Sequence, residues 1–532
     1  MRRTIRRGLC TALAGLAVVA IAAAPASAKT FKYAFQGTLK SLDPYSLNET
    51  FTLGFLTNVY EGLIRRGPDL KIEPALAERW EVLKPTQWRF YLRKGVKFHN
   101  GNDFTADDVI FSADRVRAQG SDLKTRIPKD AKFVKVDDHT VDVILTSPNP
   151  ILHFEWGTWS IVDKEWTEAN KSTKVTSASD ENASTISLKA NGTGPFKIIS
   201  HEVGVRTILE PNAGWWDKPV HNLTRVEFTP IASDATRVAA LLSSNLDMVY
   251  PIPVQDIKRV KSNPATVAML GPELRTIFLG FDQRRPELLY SNVKGKNPFK
   301  ELKVRQAFYH AINIEAIKKK VMRNLSTPSA IMISPFLFSK ASGFKRLAYD
   351  PKKAKALLAE AGYPNGFTTS MDCPNNRYVN DEAICQAIIS MLARIGVKVN
   401  PIIQPKAKYF AKVLASNGFE TSFYLLGWTP GSLDSWNVLL NLHNCRDDKG
   451  AGGPFNLGGY CNKEVDALTK KILVENDPAK RDELIRQAYE ITTKEVAHIP
   501  LHQQGLAWGV SSKIKLKQRA DNQFKMYYVV KE

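Results

Sequence analysis

The sequence lacks the features that mark several large classes of protein. It has five cysteines, no Cys-x-x-Cys pair and no cluster of histidines, so no metal site is predicted. The GxSxG, HExxH and P-loop motifs of common hydrolases, metalloproteases and nucleotide-binding proteins are also missing. After residue 28 no apolar run approaches the ~20 residues that a membrane-spanning helix needs. We therefore expect no polytopic membrane protein, no cofactor and no obvious reaction centre.

The composition is that of a large globular chain. Hydrophobic residues make up 43% and charged residues 24% of 532 residues. Because a single core stops growing beyond roughly 250–300 residues, two or more lobes are expected. The net charge is +21, with lysines scattered along the chain, which is typical of a solvated basic surface that can also attract anionic ligands.

The first 28 residues have the pattern of a secretory signal. Four arginines precede residue 8, an apolar stretch runs from Leu9 to Ala24, and Ala26-Ser27-Ala28 is a small-residue cleavage site. Cys10 lies too early to be the acylated cysteine of a lipoprotein. We predict cleavage after Ala28 and release into the periplasm, where nucleic acid is not an expected partner.

Four cysteines remain after this cleavage, and an oxidising compartment favours disulfides between them. Three pairings of four cysteines are possible. Proximity along the chain favours Cys373–Cys385 and Cys445–Cys461.

Apolar periodicity predicts alternating strands and helices, the pattern of an α/β fold. Phe31, Tyr33 and Phe35 alternate with smaller or polar residues as in a strand. Thr105 is a predicted helix cap, and Asp350-Pro351 and Asp477-Pro478 predict two further helix starts. The polar segment 167–190 is predicted to be a long surface loop.

One segment is specific enough to resemble a known family. Residues 75–116 read ALAERWEVLKPTQWRFYLRKGVKFHNGNDFTADDVIFSADRV. This resembles the signature of the bacterial extracellular solute-binding proteins of family 5, which include dipeptide-, oligopeptide- and nickel-binding proteins of ABC transporters. Further matches in the family's order are Leu42-Asp43-Pro44, Gly192-Thr193-Gly194-Pro195-Phe196, Trp215-Trp216-Asp217, Val304-Arg305-Gln306-Ala307-Phe308, the segment 349–362 and Ile499-Pro500-Leu501.

The resemblance implies an α/β, two-lobed periplasmic-binding-protein fold of type II, with an extra subdomain in lobe I and a ligand cleft between the lobes. It places the signal peptide at 1–28 and lobe I at 29–283, with the subdomain at about 75–190. Lobe II would span 284–504, and residues 505–532 would return to lobe I.

The implied function is that of a solute receptor. A monomer would close on a small ligand, such as a peptide, an opine or a related carboxylate-bearing compound. It would then deliver the ligand to the permease and ATPase subunits of an ABC importer. The chain would not be an enzyme. A secreted hydrolase or a chaperone-like peptide binder that uses the same cleft is the alternative.

Candidate ligand contacts follow from position and from the resemblance. Tyr45, Asn48 and Glu49 follow the first strand, where ligands of open α/β sheets bind, although an exposed loop is equally compatible. Arg377 could pair with a ligand carboxylate or make a surface ion pair with Asp381. A carboxylate-binding arginine lies in this region of peptide-binding relatives.

The segment around Trp428 resembles the Gly-Trp of the family's cleft, where an indole can cover a ligand group. A buried core role is the alternative for Trp428 and for Trp436. Dipeptide- and oligopeptide-binding relatives carry an aspartate three residues after this tryptophan, which pairs with the peptide's ammonium. This chain has Gly431 there, so either the ligand lacks an amine at that point or Asp434 supplies the charge. Asp434 could instead cap its own turn.

Overall fold

The fold is seen in a computed structural model that describes residues 29–178, 183–447 and 452–532. The signal peptide predicted for residues 1–28 lies outside them. Buried apolar side chains of residues 31–250 and 508–529 form one core, which defines lobe I here. Residues 254–501 supply two further cores, which define lobe II. The residue limits predicted for the lobes and the subdomain stay a prediction.

Strands run through both lobes. In chain order within the described residues they are β1 (Thr30–Phe35), β2 (Ile64–Arg66), β3 (Ile72–Pro74), β4 (Ala77–Lys84), β5 (Gln87–Leu92), β6 (Lys132–Asp137), β7 (Thr140–Ile144), β8 (Phe196–Glu202), β9 (Arg206–Pro211), β10 (Arg225–Pro230), β11 (Met248–Tyr250), β12 (Thr266–Phe281), β13 (Ser326–Pro328), β14 (Thr368–Pro374), β15 (Lys398–Gln404), β16 (Phe423–Trp428), β17 (His498–Ser511), β18 (Ile514–Lys515) and β19 (Val530–Lys531).

Helices cover the sheet in both lobes. Within the same residues the α-helices are α1 (Thr50–Leu56), α2 (Ala106–Arg117), α3 (Lys164–Ala169), α4 (Thr185–Leu188), α5 (Asp234–Leu242), α6 (Ile257–Ser262), α7 (Leu302–Ala311), α8 (Ile314–Ala316), α9 (Pro351–Glu360), α10 (Asp381–Ala393), α11 (Lys406–Val413), α12 (Ser435–Val438), α13 (Lys463–Val474) and α14 (Pro478–Lys494).

One mixed sheet passes through both lobes in the order β15-β14-β16-β12-β17-β11-β1-β10-β9-β8, with β13 paired to β17. The long strands β12 and β17 are antiparallel to each other from Thr266↔Ser511 to Gly280↔His498. At its end β12 pairs with β16 in lobe II, whereas β17 ends beside β11 in lobe I. These two strands therefore carry the chain from one lobe to the other, and the predicted two-lobed α/β fold is confirmed.

A separate four-stranded antiparallel sheet, β4-β5-β7-β6, packs onto lobe I. Trp88, Phe90 and Leu92 of β5 are buried, as their alternation with polar residues predicts. Trp156 and Trp159 pack against each other in the adjoining core, with ring centroids 5.0 Å apart. This sheet enlarges lobe I without contributing strands to the central sheet.

Helix starts follow the capping residues of the sequence. Thr105 and Asp108 form a capping box at the start of α2, so two backbone N–H groups that the helix leaves unpaired are satisfied. Asp350 and Asp477 cap α9 and α14, each followed by proline at the first helical position. These predictions are confirmed.

Both favoured disulfides are present. Cys373 of β14 is bonded to Cys385 of α10, and Cys445 is bonded to Cys461 just before α13. The first bond ties a strand to the helix that follows it, and the second closes a loop in lobe II. Among the described residues no helix is long and apolar enough to span a membrane.

The prediction that residues 167–190 form a long surface loop is partly wrong. Residues 164–169 and 185–188 are helical, and the side chains of Thr167 and Ser172 are buried. The carbonyl of Ser172 accepts a hydrogen bond from the Nε of Arg115, 3.1 Å away. The Ser172 hydroxyl donates to the Asn170 carbonyl at 3.1 Å and accepts the Ile186 N–H at 3.3 Å. A small polar side chain can be buried where neighbours supply such bonds, which composition alone does not reveal.

Candidate functional site

A cavity that is open to solvent lies between the two lobes. Cationic side chains outnumber carboxylates in its lining, and Asp217, Glu155 and Glu273 pair with three of these cations from outside the lining. The smaller excess of positive charge that remains favours an anionic ligand. The lining cations are Arg65, Arg66, Arg126, Arg275, Arg377, Arg519 and Lys525, and the lining carboxylates are Glu49, Glu61 and Asp521.

Four of the predicted ligand contacts line this cavity: Asn48, Glu49, Arg377 and Trp428. Glu49 caps the N-terminus of α1, and Arg377 follows the carboxyl end of β14. Trp428 is the last residue of β16. Strand ends from both lobes thus bring residues that are far apart in sequence to one cavity, as expected for an open α/β sheet.

Glu49 is the centre of an ionic cluster that joins the lobes. Its Oε1 lies 3.0 Å from the Nε of Arg377, and its Oε2 lies 3.2 Å from the Nζ of Lys406. The Thr52 N–H and hydroxyl also donate to Oε2, at 2.9 and 2.7 Å. Burial alone would raise the pKa of Glu49, but the two cations and Thr52 outweigh burial and lower this pKa to about 2. We call Glu49, Arg377 and Lys406 the Glu49 cluster.

The surface ion pair that was an alternative for Arg377 is not formed. The carboxylate of Asp381 instead accepts the backbone N–H groups of Arg377 and Tyr378, at 2.8 and 2.9 Å. The Arg377 side chain is buried and faces Glu49 of the opposite lobe. Its guanidinium is therefore fixed at the boundary between the lobes.

Trp428 has both a packing contact and a place in the cavity wall. Its ring lies 5.0 Å from that of Phe455, and its Nε1 donates to the Oδ1 of Asn437 at 3.0 Å. Because these contacts fix the indole, it presents a rigid apolar surface to the cavity.

Gly431 also lines the cavity, and it faces a cation. A Cβ at this position would lie 2.7 Å from both terminal nitrogens of Arg126. Arg126 Nη1 is 2.8 Å from the Oε2 of Glu155, and its Nη2 donates to the Oδ1 of Asn48 at 3.1 Å. A guanidinium therefore occupies the space that a side chain at position 431 would take.

Arg66 adds a second guanidinium to this region. Its Nη2 donates to the carbonyls of Phe154 and Ser432 at 3.0 and 2.9 Å, and its Nη1 donates to the carbonyl of Leu70. Burial is the main reason that the pKa of Arg66 is lowered to about 10. The carboxylates of Asp521 and Glu155 oppose this shift, whereas the positive charges of Arg519 and Arg126 act in the same direction as burial. We call Arg66, Arg126 and Glu155 the Arg126 cluster.

Three predicted ligand contacts lie away from the cavity lining. Tyr45 is fully buried, and its hydroxyl donates to the Ser160 carbonyl at 2.6 Å. Trp436 is packed in the core of lobe II. The ligand contacts predicted for Tyr45 and Trp436 do not fit this geometry.

Asp434 is the third of these residues. Its Oδ1 accepts the backbone N–H of Trp436 at 2.8 Å, and its carboxylate pairs with Arg481 at 2.7 Å. It caps its own turn, and α14 supplies its counter-charge. Asp434 therefore does not replace the carboxylate that is missing at position 431.

The far end of the cavity contains a different carboxyl group. Glu61 accepts hydrogen bonds from Thr193, Trp215 and Trp216 at 2.9, 3.2 and 2.9 Å. Burial raises its pKa to about 7 despite these donors. All three donors belong to motifs of the family signature. Their hydrogen bonds hold the Glu61 carboxyl group in place at this wall of the cavity. Among the described residues no three His, Cys, Asp or Glu side chains are grouped as a metal site requires.

Comparison with known proteins shows the same fold and family. The glutathione-binding protein GsiB of Escherichia coli (strain K12) is 28% identical over 508 residues, which cover 94% of each chain. Among solved structures, DppA of Helicobacter pylori in complex with the peptide STSA matches with a TM-score of 0.81 and 24% identity, covering 95% of this chain and 98% of its own. AgaA of A. tumefaciens R10 in complex with agropinic acid matches with a TM-score of 0.82 and 23% identity, covering 94% and 99%.

At these identities the structural matches show the fold alone. The family model described as the bacterial extracellular solute-binding proteins, family 5, matches residues 71–450, and this match covers most of the chain. The chain belongs to family 5 of the bacterial extracellular solute-binding proteins.

Proposed function

We propose that this protein is the periplasmic receptor of an ABC importer and that it captures a small carboxylate-bearing solute between its lobes. The observation that carries the proposal is the cavity between the lobes, whose lining holds more cations than carboxylates. Curated relatives named as glutathione-binding proteins and structural neighbours named with bound peptides or opines support this ligand class.

In this proposal Arg377 and Trp428 are the main ligand contacts. A guanidinium offers paired N–H donors that match a carboxylate, and Arg377 lines the cavity beside Glu49. Trp428 would cover an apolar part of the ligand. Asn48 and Glu49 would contribute from lobe I, so that the ligand touches both lobes and favours their closure.

The ligand does not place a free ammonium at Gly431. A cationic amine there would meet the Arg126 guanidinium instead of a carboxylate, and a buried cation without a partner is strongly disfavoured. A peptide-like conjugate, an opine or a related carboxylate fits this site better than an ordinary peptide with a free amine.

The receptor would bind its ligand without changing it. A membrane permease and its ATPase would recognise the closed form, and the protein would act in the periplasm after cleavage of residues 1–28. A hydrolase would need an activated nucleophile beside a base. In this cavity, ion pairs and capping hydrogen bonds hold the polar side chains in place. Such an arrangement supports ligand binding.

The experiment compares the wild type with two variants, each freed of bound ligand by unfolding and refolding. Calorimetry would compare glutathione, mannopinic acid and agropinic acid on the wild type, Arg377→Met and Arg394→Met. Arg394 is exposed at the end of α10 and serves as the matched control.

We expect at least one of these probes to bind and Arg377→Met to weaken it about 100-fold, the loss expected for a charged hydrogen-bonding partner. The control should stay within about twofold. Equal binding by both variants, or recovery of a cleaved probe after incubation, would overturn the proposal.

A further inference from the structure

We infer that Arg126, supported by Arg66, forms a second anion-binding subsite in this cavity and that the ligand therefore carries two anionic groups. The inference rests on the proposed function, because it concerns the same ligand in the same cavity.

The first argument is the charge of the Arg126 cluster. Glu155 neutralises Arg126, and Asn437 shares Glu155 through two hydrogen bonds of 3.0 Å. Arg66 adds a second positive charge, and its hydrogen bonds among the described residues go to backbone carbonyls. The cluster itself therefore holds two cations and one carboxylate in a largely buried place. The Arg519–Asp521 ion pair next to Arg66, 2.6 Å long, adds one charge of each sign and leaves this excess unchanged. An anion from outside would offset the excess charge, whose burial is otherwise costly.

The second argument is incomplete hydrogen bonding. The Nε atoms of Arg66 and Arg126 are buried and have no hydrogen-bond partner in the part of the chain that the structure describes. Arg126 is only 3% exposed although it lines the cavity. Buried polar groups in native proteins are nearly always paired, so these two N–H groups are available to an acceptor that a bound molecule would supply.

The third argument is the residue at position 431. A side chain there would occupy the space that the Arg126 guanidinium takes, since even a Cβ would be 2.7 Å from its terminal nitrogens. Glycine therefore allows the cation to lie directly against the loop that follows Trp428. This loop belongs to lobe II, whereas Arg126 belongs to lobe I, so an anion bound here would touch both lobes.

The fourth argument is the spacing of the two clusters. Arg126 donates to Asn48, and the next residue, Glu49, is the centre of the Glu49 cluster. The Cα atoms of consecutive residues are about 3.8 Å apart. The Glu49 cluster also holds two cations and one carboxylate. Both clusters therefore border the same two residues of lobe I, and Asn48, Glu49, Arg126 and Arg377 all line the one cavity, so a molecule that fills it has access to both.

The test uses inorganic and simple organic anions as probes. Ligand-free protein would be titrated with acetate, succinate and glutarate at constant ionic strength, and binding would be followed by thermal unfolding and calorimetry. The two informative variants are Gly431→Asp, which places a carboxylate on Arg126, and Gly431→Asn, which has the same shape without the charge. The φ of Gly431 is not positive, but either side chain must push the Arg126 guanidinium aside. The difference between the two variants therefore isolates the effect of the added charge.

We expect a dicarboxylate to bind the wild type at least tenfold more tightly than acetate. Gly431→Asp should lose this advantage, whereas Gly431→Asn, which displaces the guanidinium to the same extent without neutralising it, should lose less of it. Equal affinity for acetate and the dicarboxylates in the wild type, or an undiminished advantage in Gly431→Asp, would overturn the second subsite.

The outcomes separate this inference from the proposed function. Saturable acetate binding that depends on Arg377, with no gain from a second carboxylate, would leave the proposed function intact and reject only the second subsite. No saturable binding of any carboxylate would reject both. If Gly431→Asp does not fold, the wild-type comparison of acetate with glutarate decides alone.

Discussion

The carboxylate of Glu49 in lobe I lies 3.0 Å from the guanidinium of Arg377 in lobe II. Both side chains are buried, and Lys406 adds a second cation on the same carboxylate at 3.2 Å. Buried ions need partners, since an unpaired one is costly. Because this contact joins the two lobes, their arrangement depends on the negative charge of Glu49.

Glu49→Gln should destabilise the closed form, because Arg377 and Lys406 would lose their shared counter-charge. The amide oxygen can still accept from Thr52, so the cap of α1 is kept. Breaking a buried ion pair in this way costs about 3–5 kcal/mol. The free energy of unfolding in urea should fall by about that amount, and solution scattering without ligand should show a larger radius.

The control for this variant is Glu73→Gln. Glu73 pairs with Arg65 at 3.3 Å, but its side chain is 38% exposed and Arg65 keeps Asp217 as a partner at 2.7 Å. This change should cost less than about 1 kcal/mol. Similar losses in both variants would contradict the role given to the Glu49 cluster.

The stability of the protein should depend on pH through Glu49. Its pKa is lowered from the ordinary value of 4.5 to about 2 in the folded state. The stabilisation is therefore complete above pH 4.5 and is lost as the pH falls towards 2, which amounts to about 3 kcal/mol. The difference in unfolding free energy between wild type and Glu49→Gln should shrink across this interval. A difference that stays constant down to pH 2 would contradict the pairing.

Much of the fold could be predicted from the sequence because its signals are local. The caps Thr105, Asp350 and Asp477 bond to N–H groups two or three residues away, so their helices could be identified from short patterns. The alternation in β1 and β5 and the two disulfides are similarly short-range. The family signature supplied the two-lobed arrangement, which periodicity alone does not give.

The site was only partly predictable because its contacts are long-range. Lys406 is 357 residues from Glu49, and Arg66 is 366 residues from Ser432. No spacing rule connects such residues, so Arg66, Arg126 and Lys406 were missed. The glycine at 431 was the one signal, since it marked a missing carboxylate without showing that a guanidinium takes its place.

Tyr45 is the converse case, a residue that the sequence suggested as a ligand contact but that does not line the cavity. It follows β1 at the end of the sheet where ligands bind, and that position alone favoured a ligand contact. The side chain turns into lobe I instead, where Arg115 lies 5.1 Å from its ring and the Ser160 carbonyl accepts its hydroxyl. Position along a strand predicts which edge a residue occupies, but the neighbouring core decides where its side chain goes.

The four cysteines of residues 29–532 should all be oxidised. Counting thiols in denaturant without a reducing agent should give none for the exported protein, because Cys373–Cys385 and Cys445–Cys461 account for all four. Two or four reactive thiols would contradict this pairing.

Removing the second bond should weaken the fold measurably. Cys445 and Cys461 are 16 residues apart, and closing a loop of that size stabilises by ~3 kcal/mol in the chain-entropy account. The double variant Cys445→Ser/Cys461→Ser should lose about this amount in urea unfolding. An unchanged unfolding midpoint would show that the loop is held by other contacts.

The exported protein should begin at Lys29. The charged, apolar and small-residue regions of residues 1–28 together predict cleavage after Ala28. N-terminal sequencing of the periplasmic fraction tests this directly. A periplasmic product that retains Met1, or one found with a lipid anchor, would contradict it.

The central claim is that the cavity takes a carboxylate-bearing solute without a free ammonium beside Gly431. Calorimetry on ligand-free protein can test it most directly by comparing di- and tripeptides, their N-acetylated forms, and the non-peptide carboxylates mannopinic and agropinic acid. We predict that free peptides bind no more tightly than their acetylated forms and that at least one non-peptide carboxylate binds at least tenfold more tightly. Tight binding of free peptides that disappears on acetylation would contradict the account.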